Sequence, residues 1–462
     1  GDTKWDIGYL NCQLKEETPM SKTSIGFLKS LDDRVQGILN ACTACGDCVS
    51  VCPTPQGAGI DVTDPKRIAW GVLDILRNNG GGLDASRQWA AACCGTGACL
   101  TSCSYGINPR FMLSMARRAM KEDVPEEDRR VAGKEAFKGM TRGVRVLSRL
   151  QLAPDLLERL SPSSHPTLTE PPDLIFYTGC NLLKTPHIGL LCLDVLDRLD
   201  ISYEVYGGPE NCCGFFQLGA GDMANAGRLG FKTIERFAQT KTAEVLSWCP
   251  SCHLIFGETH LPSSEAELTT KPSFDMTMFA VYLSRHLDEL QPMMTNPVNK
   301  RVALCDFAVA DEVSKGVVAV LSCIPGLEVI DLGIDRIAYT LIATRSIPEH
   351  GKSMLAKTLR AAQDADVTTL AGIYHSDHRE LSAHEGAWSY EIVNFMELIG
   401  ESMGITHVDL FKRLKLMQDV DAILVASQEY IDDNELDPEE VREVVLKDLL
   451  GEQFLPIDRS WH

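Results

Sequence analysis

Seventeen cysteines stand in the 462-residue chain, most of them in tight groups: Cys42, Cys45, Cys48 and Cys52, then Cys93, Cys94, Cys99 and Cys103, then Cys212 with Cys213 and Cys249 with Cys252. Cys12, Cys180, Cys192, Cys305 and Cys323 stand apart. Two cysteines separated by two residues rarely make a good disulfide with each other, whereas that spacing wraps a metal or a cluster readily. Disulfide-dense scaffolds are also usually far shorter chains. The chemistry these residues point to is ligation.

The run Cys42-x2-Cys45-x2-Cys48-x3-Cys52-Pro53 has the spacing of the bacterial ferredoxin motif, in which three closely spaced thiolates hold one cubane and the fourth reaches over to a second cluster. Ala44, Gly46 and Ser50 are small enough to let backbone amides approach the cluster sulfides, where hydrogen bonds help set the potential. A structural zinc site needs only four ligands and does not ask for the proline. In the partner run, Cys93-Cys94-Gly95-Thr96-Gly97-Ala98-Cys99-x3-Cys103, Thr96 stands where the second cysteine belongs and Ser104 replaces the usual proline. The expected first site is a [4Fe-4S] cluster on Cys42, Cys45, Cys48 and Cys103. Cys93, Cys99 and, crossing over, Cys52 leave the second site three thiolates, which suit a [3Fe-4S] cluster, or a [4Fe-4S] cluster if Cys94 swings in. Two clusters this close form an electron relay.

Two kinds of architecture must position these ligands. Residues 1–160 hold the first nine cysteines and repeat apolar residues at helical spacing, as over Arg67–Leu76 and Pro109–Met120, with the NNGGGL run at 78–83 as a turn. After the Ser/Pro-rich stretch 161–172, short apolar strands alternate with helices, which argues for α/β layering with mostly parallel strands. Strands are expected at 174–177, 204–206 and 245–248, and in a second series at 302–304, 327–330, 367–371 and 422–425. Helices are expected near 184–199 and 222–240. The two series look like repeats: each opens on a strand ending in a cysteine, Cys180 or Cys305, and Ser247-Trp248-Cys249-Pro250-Ser251-Cys252-His253 is echoed by Gly372-Ile373-Tyr374-His375-Ser376-Asp377-His378. Tyr374 and Asp377 then occupy the places of Cys249 and Cys252. The fold class expected is α+β multidomain: a helical ferredoxin-like domain with two Fe-S clusters over 1–160, a linker over 161–172, a first α/β unit over 173–262, a linker and helix over 263–297, and a second, degenerate α/β unit with C-terminal helices over 298–462.

In the first α/β unit, 31 residues separate Cys180 from Cys212-Cys213-Gly214, and 35 separate Cys213 from Cys249-Pro250-Ser251-Cys252. This pattern resembles the cysteine-rich CCG domain of heterodisulfide reductases. The ferredoxin run followed by two such units resembles the fused heterodisulfide reductase subunit, with the iron-sulfur subunits of glycolate oxidase and of the sulfite-reduction membrane complex as relatives. The resemblance implies that Cys180, Cys212, Cys213, Cys249 and Cys252 bind a non-cubane [4Fe-4S] cluster. It also implies that electrons arriving through the ferredoxin clusters cleave, or in reverse form, a disulfide or other thiol substrate there. His253 could deliver a proton, or be a structural histidine at a helix start. The second unit keeps only Cys305 of the five, with Thr344 and Arg345 where the paired cysteines would be. That departure keeps open an alternative: a non-catalytic electron-transfer subunit linking a flavoprotein dehydrogenase to an acceptor. Expected partners are other subunits of a redox complex, a flavoprotein or a membrane-anchored cytochrome or iron-sulfur subunit, together with a small thiol or disulfide.

Composition narrows the rest. Sixty-four acidic against 44 basic residues give a net charge of -20, while 44% hydrophobic and 23% charged residues are ordinary for a globular chain. Disorder, collagen and coiled coil are excluded, and so acidic a chain should be repelled by nucleic acid and anionic lipid. No apolar run is long enough to span a membrane and the N-terminus lacks a signal-peptide pattern, so the expected location is cytoplasmic, or peripheral to the membrane through a partner subunit. Gly219-Ala220-Gly221 lacks the rest of a dinucleotide fingerprint, so flavin or nicotinamide chemistry would belong to another chain. Three weaker features remain. Cys12, Cys192 and Cys323 read as buried small apolar residues. The eleven Lys or Arg of residues 110–149 read as a solvated helix or a docking face. His375-x2-His378 with Asp377 reads as a solvated loop or a metal site, and Asp432–Glu443 as a charged helix.

Overall fold

The computed structural model of the protein describes residues 22–166, 169–264, 272–307 and 312–462; Cys12 lies outside them. The first third is helical. Asp64 caps the Pro65–Arg77 helix by accepting from the Arg67 amide, Asn108 does the same for Pro109–Ala119 through the Phe111 amide, and both helices begin with proline at the first turn. Their apolar faces bury Ile68, Val72, Ile75, Phe111, Met112 and Met115 around Trp89.

Two four-stranded parallel sheets follow. The first has the order β2-β1-β3-β4, with β1 Leu174–Gly179, β2 Tyr203–Gly207, β3 Glu244–Ser247 and β4 Asp275–Met278. The second repeats that order as β6-β5-β7-β8, with β5 Arg301–Cys305, β6 Glu328–Ile330, β7 Thr369–Gly372 and β8 Glu391–Asn394. Every residue of β1 is buried, as a parallel strand covered on both faces requires. Helices Pro186–Arg198, Phe279–Arg285, Glu312–Ser322 and Phe395–Met403 form a shared layer between the sheets. There Trp248 stacks on Phe395 at 5.9 Å, the two rings nearly parallel. The other face of the first sheet packs, through Tyr177, Phe237 and Phe256, onto the helical third of the chain.

The structure departs from the sequence expectation at several points. β4 lies inside the stretch 263–297 read as linker and helix, and it completes the first sheet by pairing with β3 from Glu244↔Asp275 to Ser247↔Met278; four residues are too few for a period to register. Residues 422–425 form part of the Val420–Ala426 helix, capped by Asp419, instead of a strand. The charged stretch Asp432–Glu443 is split between the Gln428–Asp433 and Pro438–Val444 helices. His375, Asp377 and His378 are buried on the His375–Leu381 helix, where a solvated loop was one expectation. Cys192 is buried as expected, but Cys323 is only half-buried.

The basic stretch is neither free docking face nor solvated surface throughout. Arg110 pairs with Glu258, Arg118 with Asp32, and Arg142 and Arg145 both reach Glu440, so the Glu126–Arg149 helix is clamped to the C-terminal helices. Beneath those ion pairs Val146, Leu147 and Leu150 pack on Phe411, Val441 and Leu449.

Candidate metal centres

The two ferredoxin-type loops share a local geometry. Gly46 and Gly97, each immediately before a short helix, are both left-handed, with φ of 86° and 81°, and this equivalence places Thr96 in the position of Cys45. Cys42, Cys45, Cys48 and Cys103 line one small open cavity, together with Tyr105, Ile107 and Met112. Burial first, then the neighbouring Cys42, Cys45 and Cys103, push the Cys48 thiol up to about 12.

Cys52, Cys93 and Cys99 form the second group. Trp89 Nε1 donates to Cys52 Sγ at 3.5 Å. Burial, then Cys93 and Cys52, push Cys99 up to about 12, with Arg110 acting in the opposite sense and Cys48 of the first group also in range. Cys94 is near Cys93 and Cys52, but its Sγ faces the second α/β unit, 3.3 Å from Ala92 O and 3.2 Å from Ser346 Oγ.

The third group occupies the carboxyl ends of β1, β2 and β3, the edge at which open parallel sheets present ligands. Cys180 directly follows β1 and Cys212-Cys213 follow the turn after β2. Cys249 caps the Pro250–Ile255 helix after β3, and Cys252 lies in that helix's first turn. The chain turns at Gly179 with φ of 69°, and a side chain there would meet Cys249 Cβ at 2.8 Å, so only glycine lets these cysteines converge. The five thiols form a continuous series, Cys180 to Cys212 to Cys213 to Cys252 to Cys249, each close enough to shift the ionisation of the next. None is more than 9% exposed. Thiols so placed cannot all ionise: their mutual proximity and burial push Cys180, Cys213 and Cys252 well up, while Cys180 and Cys213 bring Cys212 down and Cys252 brings Cys249 down. Cations bound among them would let all five be thiolates at once. By donor chemistry all three groups fit iron-sulfur clusters.

His253 lies in the same helix as Cys252, but it faces Arg110 and Glu258, and burial, then Arg110, push it down to about 4. Burial thus favours the neutral imidazole at His253, for which the sequence left two readings, proton delivery and a structural histidine at a helix start.

Several residues at the sites left no signal in the sequence. His260 Nε2 is 2.7 Å from Cys213 O. Tyr339, from the second α/β unit, hydrogen-bonds Ser251 between Cys249 and Cys252 at 2.8 Å. Its amide donates to Cys94 O at 3.3 Å, and its ring lies on Gly95 where no Cβ would fit. Arg379, also from the second unit, lies near enough to Cys249 to favour its thiolate. Arg110 joins the second and third groups: its guanidinium holds the Glu258 carboxylate at 2.6 Å and donates to Gly95 O at 2.8 Å. Each contact spans tens to hundreds of residues, beyond any local pattern.

Residues 41–108 match the 4Fe-4S dicluster domain family, and residues 174–257 match the CCG cysteine-rich domain family. The glycolate oxidase iron-sulfur subunit of Escherichia coli (strain K12) is 27% identical over 192 residues, 38% of this chain and 47% of that protein. The chain therefore spans about half the length of the curated relative it matches. No solved structure matches it.

Proposed function

We propose that this chain, which joins a 4Fe-4S dicluster domain to a CCG cysteine-rich domain, is an iron-sulfur oxidoreductase subunit that relays electrons through the two ferredoxin-type sites to the five-cysteine site, where a small thiol or disulfide is reduced or formed. The observation that carries the reading is the unbroken series of five buried sulfurs at the carboxyl edge of the first sheet. When bound, the clusters supply one-electron transfer and, at a non-cubane [4Fe-4S] centre, iron able to meet an incoming sulfur. The protein supplies the spacing. Arg110 fixes the loop of the second ferredoxin site against the CCG domain, and Arg379 supplies positive charge beside Cys249. We read the second sheet as a degenerate copy of the first: Cys305 ends β5 where Cys180 follows β1, and Tyr374 caps the helix after β7 as Cys249 caps the one after β3. A single five-cysteine site leaves disulfide or persulfide chemistry at one centre.

The three-thiolate second site is expected to carry three irons. Thr96→Cys restores the missing ligand at the position matched to Cys45, and should convert a [3Fe-4S] signal in the oxidised protein to a [4Fe-4S] signal in the reduced one, read by electron paramagnetic resonance. Absence of an oxidised three-iron signal from the unaltered chain would show that Cys94 or another group fills the place; its survival in Thr96→Cys would show that position 96 is not the vacant corner.

A second reading is favoured by the depth of the five-cysteine site: an electron-transfer subunit between a flavoprotein dehydrogenase and an acceptor, itself never meeting substrate. Among the described residues no helix is long and apolar enough to cross a membrane. Paramagnetic resonance on the oxidised, anaerobic protein with and without a panel of thiols separates the two. A signal appearing only with thiol is expected from the first reading; an intact five-cysteine cluster with no thiol-dependent change leaves the second.

A further inference from the structure

We infer that His187, His378, Glu397 and Asp409 form a closed zinc site that staples the two α/β units together. His187 comes from the Pro186–Arg198 helix of the first unit, His378 from the His375–Leu381 helix of the second, Glu397 from the Phe395–Met403 helix, and Asp409 caps the Leu410–Met417 helix. One nitrogen or oxygen of each lies within 4.8 Å of the others. A tetrahedral zinc ion with bonds of about 2.0–2.1 Å sets its donors roughly 3.3 Å apart. His187 Nδ1 is 3.6 Å from Asp409 Oδ1, and His378 Nε2 is 2.6 Å from Asp409 Oδ2; with one donor atom of each residue inside 4.8 Å, the side chains must draw in by up to about 1.5 Å to meet that spacing.

Three observations point to an ion. His187 is 2% exposed, yet neither ring nitrogen has a hydrogen-bond partner, and His378, fully buried, leaves Nδ1 without one. Buried polar atoms are rarely left so. Two carboxylates and two imidazoles face one another in a single cluster, a donor set that a divalent ion can bridge. The nearby cation, Lys412, is committed elsewhere: its Nζ holds Glu385 at 2.8 Å and Ile392 O at 2.7 Å. Finally, backbone amides orient the carboxylates, Asn394 N donating to Glu397 Oε2 at 2.6 Å and Lys412 N to Asp409 Oδ1 at 2.9 Å, as outer partners do for metal ligands. Two buried imidazoles and two half-buried carboxylates, one donor atom of each within 4.8 Å of the others, suit zinc in a structural role. The set contains no sulfur, so this site and the cysteine centres would draw on different metals. The inference does not depend on what the five-cysteine site acts on.

The test uses the full chain, purified anaerobically from medium supplemented with zinc and iron. Metal analysis is expected to find about one zinc per chain. Zinc K-edge absorption should show only nitrogen and oxygen neighbours near about 2.0 Å, with no sulfur at about 2.3 Å. Asp409→Asn and His187→Gln should each lower zinc occupancy at least tenfold while iron per chain stays constant. A zinc-free chain, zinc bound by sulfur, or zinc retained in both variants would overturn the site. The absorption measurement on the unaltered chain decides the matter even if neither variant folds.

Discussion

Cys213→Ser is expected to lower thiol or disulfide turnover by at least about 100-fold and to remove about four irons per chain, while both ferredoxin-type sites still take up electrons. Cys213 is the most demanding of the five positions. Its sulfur contacts both Cys212 and Cys252, and the side chain is 2% exposed, so it stands in the middle of the series with no water to replace it. A serine oxygen is shorter and harder than a thiolate and cannot span to both neighbours. Even outer-shell changes at metal sites cost 10- to 100-fold, and loss of a central ligand should cost more. Iron analysis, the spectra of the ferredoxin-type sites and turnover are measured together. Cys192→Ser, at a buried cysteine remote from the clusters, controls for folding and should keep its iron. Turnover persisting in Cys213→Ser, with four irons gone, would sink the assignment of chemistry to this centre.

The second large effect is expected at Arg110. Arg110→Ala leaves Glu258 a mostly buried carboxylate without its fork, strips a donor from Gly95 O, and removes the positive charge that favours the Cys99 thiolate. Breaking one side of such a pair costs about 3 kcal/mol. The midpoint of thermal unfolding should fall by several degrees, and the second ferredoxin site should become harder to reduce because a nearby cation is gone. Arg110→Lys is expected to recover the charge effect but little of the stability, since an ammonium cannot hold both carboxylate oxygens and the Gly95 carbonyl in one plane. Redox titration together with calorimetry reads both arms. An unchanged midpoint and an unchanged potential in Arg110→Ala would show that the pair ties nothing together.

What could be read from sequence and what could not divides along distance in the chain. The three cysteine groups were legible because spacings of two and three residues bring thiols together, and the amphipathic helices because their apolar residues recur within one or two turns. A four-residue apolar run such as Ala422–Val425 carries no such period; Asp419, whose side chain accepts from the Asp421 and Ala422 amides, decides for helix, and the run alone could not. β4 was hidden for the same reason. The partners of His378 lie on other helices, His187 nearly two hundred residues away, so the pair His375-x2-His378 suggested the wrong companions. Arg110 was counted as one more charge in a basic stretch, though its partner Glu258 sits 148 residues on.

Tyr339 would give the second α/β unit a part in the proposed electron relay. The Cys94 carbonyl, the Tyr339 backbone and ring, and the Ser251 hydroxyl form a chain of covalent and hydrogen bonds from the loop of the second ferredoxin site to the turn between Cys249 and Cys252. Tunnelling decays more slowly through packed, bonded matter than through void or loose water. In that relay the second α/β unit would supply the packed medium between the two loops, and its packing would set how fast a charge crosses the gap.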